Sequence, residues 1–249
     1  MSLDLNDLLR DWPHEPGMLK VRKILGTDGK EKIQLRIDLG LIQMETAGRP
    51  DGQRPHHCES LYDWHLGRAR RAEKQGESYT LSEEEIGEVQ HESIQYYHRY
   101  ISLYQLGDYA GVMRDTQRNL DLFDFVTAHA PSELSDSLDQ HTPYVLMMNT
   151  RAQASIELER EDFAGAVRVI ERGMAKIRAF LEKHGGPEAT SASQELAFLG
   201  DWLDEVRLKQ PLSRLEKMQR EMDKAISAEA YERAAELRDA IRALSTRKS

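Results

Sequence analysis

The 249-residue chain has one cysteine, Cys58, so no disulfide can form within it and an oxidising compartment gains no support. No apolar run approaches the roughly 18 residues that a membrane-spanning helix needs, and no membrane association is expected. The N-terminus, Met1-Ser-Leu-Asp-Leu-Asn-Asp7, is acidic and lacks the basic-then-apolar order of a secretory signal, so the expected location is cytoplasmic. Nucleotide loops of the Gly-x-x-x-x-Gly-Lys-Ser/Thr kind, dinucleotide fingerprints, Gly-x-Ser-x-Gly elbows and His-Glu-x-x-His pairs are all missing. Neither catalysis nor a cofactor is therefore expected. A net charge of −9 argues against nucleic-acid binding driven by overall electrostatics.

What the chain does have is the composition of a helix-rich protein with long solvated faces, 39% hydrophobic and 31% charged. The expected class is mainly α with a small β component: an N-terminal β-hairpin, stacked antiparallel helix pairs and a C-terminal helical hairpin. Leu3, Leu5, Leu8, Leu9 and Trp12 form a short amphipathic pattern ended by Pro13 and Pro16, which predicts a docking helix. Val21, Lys23 and Leu25, then Ile33, Leu35, Ile37 and Leu39, fall at period two on either side of Gly26-Thr-Asp-Gly29, and predict a hairpin. Leu41 to Met44 adds a third strand, although Gly40 supplies no full turn signal.

Metal-ligand residue types gather only around the Gly/Pro-rich stretch 48–58, as His56, His57 and Cys58, with His65 beyond. Zinc sites use four well-spaced ligands, and adjacent His-His-Cys with no second cysteine fits poorly. No metal is expected, and the stretch reads as a loop that docks on the helices or touches a partner. A base-activated Cys58 nucleophile lacks any supporting signature.

A polar helix is predicted over 60–75 with Leu61, Trp64 and Leu66 inward. Ser82 to Glu85 reads as a capping box opening a helix to about Leu106, with Ile86, Val89, Ile94, Tyr97, Ile101 and Tyr104 inward. The tyrosines at 96, 97, 100 and 104 are at helical spacing, as core residues would be. Gly107-Asp-Tyr-Ala-Gly-Val112 recurs as Glu161-Asp-Phe-Ala-Gly-Ala166, with an aromatic after a tight turn and a small residue beyond it. This unit resembles the tetratricopeptide repeat, although Tyr109 and Phe163 lie 54 residues apart rather than the usual ~34. The excess is an insertion over 127–142. Thr142-Pro143 then reads as a cap and first-turn proline, Asp162 as a cap, Gly185-Gly186 as a stop, and Leu196, Leu199, Leu203 and Val206 as a last body helix.

At the C-terminal end, Leu215, Met218, Met222 and Ala225/Ile226, then Tyr231, Ala234, Leu237, Ile241 and Leu244, show the i, i+3, i+4 spacing of two amphipathic helices. The break is Ser227-Ala-Glu-Ala230, and Ser213 with Glu216 offers a capping box. With Tyr231, Glu232, Ala234, Ala235, Arg238, Asp239, Ile241 and Leu244 in register, the segment resembles the UVR motif, the helical hairpin shared by UvrB, UvrC and McsA-type regulators. The resemblance implies protein-protein binding, since such hairpins pair with one another, and it implies no catalytic residue. The expected contact residues are Met218, Met222, Tyr231, Ala234, Ala235, Leu237, Arg238, Ile241 and Leu244.

The chain accordingly divides into a β-hairpin region (1–57), a helical body (58–209) and the hairpin (210–249). From Arg207 onward 11 Lys/Arg face 7 Asp/Glu, an excess of four cations that leaves −13 for the rest. The expected function is a non-enzymatic adaptor whose hairpin recruits a protein partner or a second copy of the chain. The alternative is an accessory DNA-binding protein of excision repair, carried by the basic tail and the motif.

Overall fold

The computed structural model describes residues 4–131, 133–210 and 214–246, except the side chains of 214–217 and 243–246. The chain forms two compact units, 1–204 and 205–249, and the division falls inside one helix. The fold is mainly α, with one three-stranded antiparallel sheet at the N-terminal end. No helix among the described residues is long and apolar enough to cross a membrane.

The sheet runs β1 (Val21–Leu25), β2 (Glu31–Ile37) and β3 (Gly40–Glu45), in that order. The β1–β2 turn needs a left-handed residue, and Gly29 supplies it at φ 73°. The third strand forms fully, from Gly40 paired with Ile37. Its two-residue turn, Asp38-Leu39, has no glycine; instead the Arg36 guanidinium donates to the carbonyls of Ile37 and Gly40 and closes it. Register sets Ile33 opposite Met44 and Leu35 opposite Ile42, and Ile33, Leu35 and Met44 are buried. The other face carries a polar ladder, in which Arg22 Nε donates to Gln34 Oε1 at 2.8 Å and Gln34 Nε2 to Gln43 Oε1 at 2.9 Å. Trp12 docks there under the Arg22 guanidinium, 4.1 Å from the ring centroid. The expected N-terminal helix is only α1 (Asn6–Leu9), with Leu5 and Leu8 exposed; Leu3 lies outside the described residues.

The body helices are α2 (Leu61–Gln75), α3 (Glu83–Gln105), α4 (Tyr109–His129), α5 (Thr142–Glu159), α6 (Phe163–Ala192) and α7 (Gln194–Lys209). From α3 to α6 each packs on the next. Their ends follow local rules. Ser60 accepts from Asp63 N, the Ser82–Glu85 capping box closes in both directions, and Asp108 and Asp162 accept from Gly111 N and Gly165 N. A Cβ on Gly165 would sit 2.4 Å from the Asp162 carboxylate and one on Gly111 3.0 Å from that of Asp108, which is why the repeated unit has glycine three residues after its aspartate. Gly186 breaks α6 at φ 71°, ψ −169°, and Pro187 restarts it. Leu196, Leu199, Leu203 and Val206 are all buried.

Three expectations need correction. In α2 the inward aromatic is His65, fully buried, while Trp64 lies half-buried and stacked on His56 at 3.8 Å. Thr142 does not cap α5: a 3₁₀ turn over Asp139–His141 runs straight into the helix, so Thr142 is already helical. On α3, Ile86 and Val89 point inward as expected, but Ile94 and Tyr97 are 45% and 37% exposed. Glu92, Tyr96, Arg99, Tyr100 and Leu103 are buried instead. The face is rotated because two charged residues occupy the interior.

Those charges are paired. Arg99 clamps Asp115 of α4 with two bonds of 2.6 and 2.8 Å and donates from Nη1 to the carbonyls of Glu45, the last residue of β3, and Gly48 beyond it. The Glu92 carboxylate accepts from Leu61 N at 2.8 Å at the start of α2, pairs with Arg118 of α4, and lies 3.1 Å from Arg49 Nε. Removing one member strands the others without solvent, at a cost of about 3–5 kcal/mol. Glu92→Ala should therefore lower the urea midpoint by that equivalent; a loss below about 1 kcal/mol would show the carboxylate to be dispensable.

His65 gives a second measurable consequence. Its Nδ1 lies 2.7 Å from the Tyr79 hydroxyl, and burial pushes its pKa down to about 4, with Arg68 and His56 acting in the same direction against Glu85. The neutral ring is thus the folded form, whereas an unfolded histidine titrates near 6.5. Stability from this group is whole above 6.5 and is lost as pH falls toward 4, by up to about 3 kcal/mol. Urea unfolding of His65→Gln should lack that component of the pH dependence; profiles of equal slope between pH 6.5 and 4 would contradict it.

Candidate protein-interaction hairpin

The second unit contains α8 (Arg214–Ser227) and α9 (Tyr231–Thr246), which pack against each other. Between them Glu229 is left-handed at φ 58°, Ala230 N donates to Ala225 O at 2.8 Å and Glu229 N to Ile226 O at 3.0 Å. This is a Schellman turn. The body contains the same turn after α2, where Gly76 is left-handed, Gly76 N bonds Glu73 O and Glu77 N bonds Ala72 O, and at two corners that lead straight into the next helix. At Gly107, Asp108 N bonds Leu103 O and Gly107 N bonds Tyr104 O; at Glu161, Asp162 N bonds Glu157 O and Glu161 N bonds Leu158 O. In those two corners and in the hairpin an aromatic opens the next helix: Tyr109, Phe163 and Tyr231.

The three turns differ in quality and in cover. The first has glycine at the left-handed position and an aspartate cap, the second keeps the aspartate, and the third has neither, with Glu229 followed by Ala230. Tyr109 and Phe163 are half-buried, Tyr109 lying edge-on to Tyr104 at 5.4 Å. Tyr231 is 66% exposed.

The interior of the hairpin is small. Among the described side chains Ala225, Ala234 and Leu237 are buried, and Met218, Met222, Ala235 and Ile241 are half-buried. Ile226, read from the sequence as part of the inward stripe, is 49% exposed. It leaves Tyr231 and Ile226 as large apolar side chains in water on either side of the turn. Arg238 is exposed and pairs with its neighbour Asp239 at 2.9 Å. Of the expected contact residues, Ala234 and Leu237 thus hold α8 to α9, while Tyr231 and Arg238 face outward. The side chains of Leu215, Glu216 and Leu244, together with Pro211 and Ser213, lie outside the described residues.

Residues 213–247 match the family model of the UvrB/uvrC motif. The chain carries a UVR motif, and the match coincides with the α8–α9 hairpin. No curated protein and no solved structure matches the chain.

Elsewhere the histidine-rich loop forms no ligand cluster. His56 and His57 are both left-handed, Cys58 Sγ contacts His56 O at 3.6 Å, and His65 is turned into the core. Among the described residues no group of three or more His, Cys, Asp or Glu is placed to hold a metal ion.

The turn comparison is testable by exchange. Glu229→Gly and Ala230→Asp should each stabilise the hairpin by about 1 kcal/mol, by relieving the left-handed side chain and by adding a cap. Asp108→Ala should cost the body about the same. Thermal melts followed by circular dichroism would expose a failure, namely hairpin melting unmoved by both changes.

Proposed function

We propose that this protein is a non-catalytic adaptor, in which the helical body is the scaffold and the UVR hairpin recruits a protein partner or a second copy of the chain. The observation that supports this reading is the exposure of Tyr231 at a position whose two counterparts in the body are half-buried. A hairpin of about 30 residues has little core of its own, so covering its outer apolar side chains is a favourable outcome of association. Each such side chain contributes on the order of 1.5–3 kcal/mol when fully covered.

Tyr231→Asp and Ile241→Asp should therefore weaken association by about ten-fold or more, whereas Arg242→Asp, on an exposed position, should change it far less. Sedimentation of the purified chain and quantitative capture of a partner from extract provide the readouts. If Tyr231→Asp retains self-association and every captured partner, the recruitment reading fails. Tight, steeply salt-dependent binding to duplex DNA that Tyr231→Asp leaves intact would favour the excision-repair alternative.

A further inference from the structure

The Ile94–Tyr97 stripe of α3 has the periodicity of a core face, yet in the folded body it lines an open cleft of about 420 Å³. That volume lies within the roughly 300–1,000 Å³ of small-molecule sites. Walls and floor come from α3, α4, the 3₁₀ turn at Asp139–His141 and the first turn of α5. The floor is apolar and fixed, with Tyr100, Phe123 and Val145 all at most 3% exposed. Tyr97 stands edge-on to Tyr100 at 5.5 Å and 6.1 Å from Tyr144, so ring faces and ring edges both border the space.

The lining carries no fixed charge. In a chain of which 31% is charged, none of the twelve lining residues is Asp, Glu, Lys or Arg. Burial lowers the pKa of His98 and raises those of Tyr100 and Tyr144, so these groups face the cleft neutral at pH 7. Floor polar atoms are already engaged: Asn119 Nδ2 donates to Ser93 O at 3.0 Å and Ser93 Oγ to Gln90 O at 2.7 Å. What faces a ligand's polar edge is the rim, where the side chains of Gln140 and His141 are exposed, Gln140 Nε2 making only a long 3.4 Å bond to Ser137 O.

We propose that this cleft is a binding site for an uncharged aromatic small molecule of two or three rings, which covers Ile94 and Tyr97 and meets the rim side chains of Gln140 and His141 with one polar edge. A charged ligand would have to shed its hydration against a lining that offers no counter-charge. An uncharged aromatic one has no such hydration to shed and gains the offset and edge-on ring contacts that the tyrosines present.

Two probes with the same ring system separate these cases: N-phenyl-1-naphthylamine is neutral, and 8-anilinonaphthalene-1-sulfonate adds an anionic group. Fluorescence titration of the full chain should give saturable one-to-one binding of the amine, at least about ten-fold tighter than the sulfonate. Ile94→Arg and Tyr97→Ala should each weaken the amine by about ten-fold with an unchanged circular dichroism melt, because both side chains are partly exposed. Tyr231→Asp should leave the titration as it is, which separates the cleft from the apolar tip of the hairpin. Equal or tighter binding of the sulfonate, no saturable binding of the amine, or indifference to Ile94→Arg would overturn the proposal. So would unfolding of both cleft variants, since Ile94 and Tyr97 would then be core residues.

Discussion

One buried carboxylate holds the first unit together. Glu92 is fully buried in α3, meets the free N–H groups at the start of α2, and is paired with Arg118 of α4 and Arg49 of the segment after β3. Its charge is favourable at a helix N-terminus, where the macrodipole and the unpaired amides converge. Burying a carboxylate is costly unless every lone pair finds a donor, so the partners must come to it. Arg99 and Asp115 repeat the arrangement about two turns further along α3, and Arg99 reaches the carbonyls of Glu45 and Gly48. Together the two ion pairs define where the sheet sits on the helices, with the specificity of directed bonds that apolar packing lacks.

That arrangement also explains what could be read in advance. Several helix ends were legible because caps are local: Ser82 with Glu85, Asp162 and the Gly186-Pro187 step each act within four residues, whereas the Thr142 cap gave way to a 3₁₀ turn running into α5. The face of α3 was not, because hydropathy places Glu92 and Arg99 outside and so rotates the helix toward Ile94 and Tyr97. Their partners are 16 to 54 positions away in sequence. The third strand was only half legible, since its turn is closed by the Arg36 side chain and not by a turn-forming residue. In the hairpin, spacing sufficed for two facing helices, but it could not separate Ala225 from Ile226, adjacent residues that fall on opposite sides of the boundary between core and water.

The Schellman turns at Gly107, Glu161 and Glu229 show one local device used for two ends. Within the body, glycine or an aspartate cap and a packed aromatic make it a rigid corner between stacked helices. In the UVR hairpin the same corner lacks both aids and leaves its tyrosine outside, so less of its stability is internal. An element of that kind gains more from a partner than one already satisfied, and the proposed recruitment role draws on that difference.

The tryptophans are distributed in a way that bears on every spectroscopic experiment with this protein. All three, Trp12, Trp64 and Trp202, belong to the first unit, and Trp64 lies stacked against His56. Indole emission therefore comes from side chains of the first unit alone, whereas helical dichroism sums over both units. The gap between the two signals along one denaturation curve is a direct reading of how independently the hairpin melts.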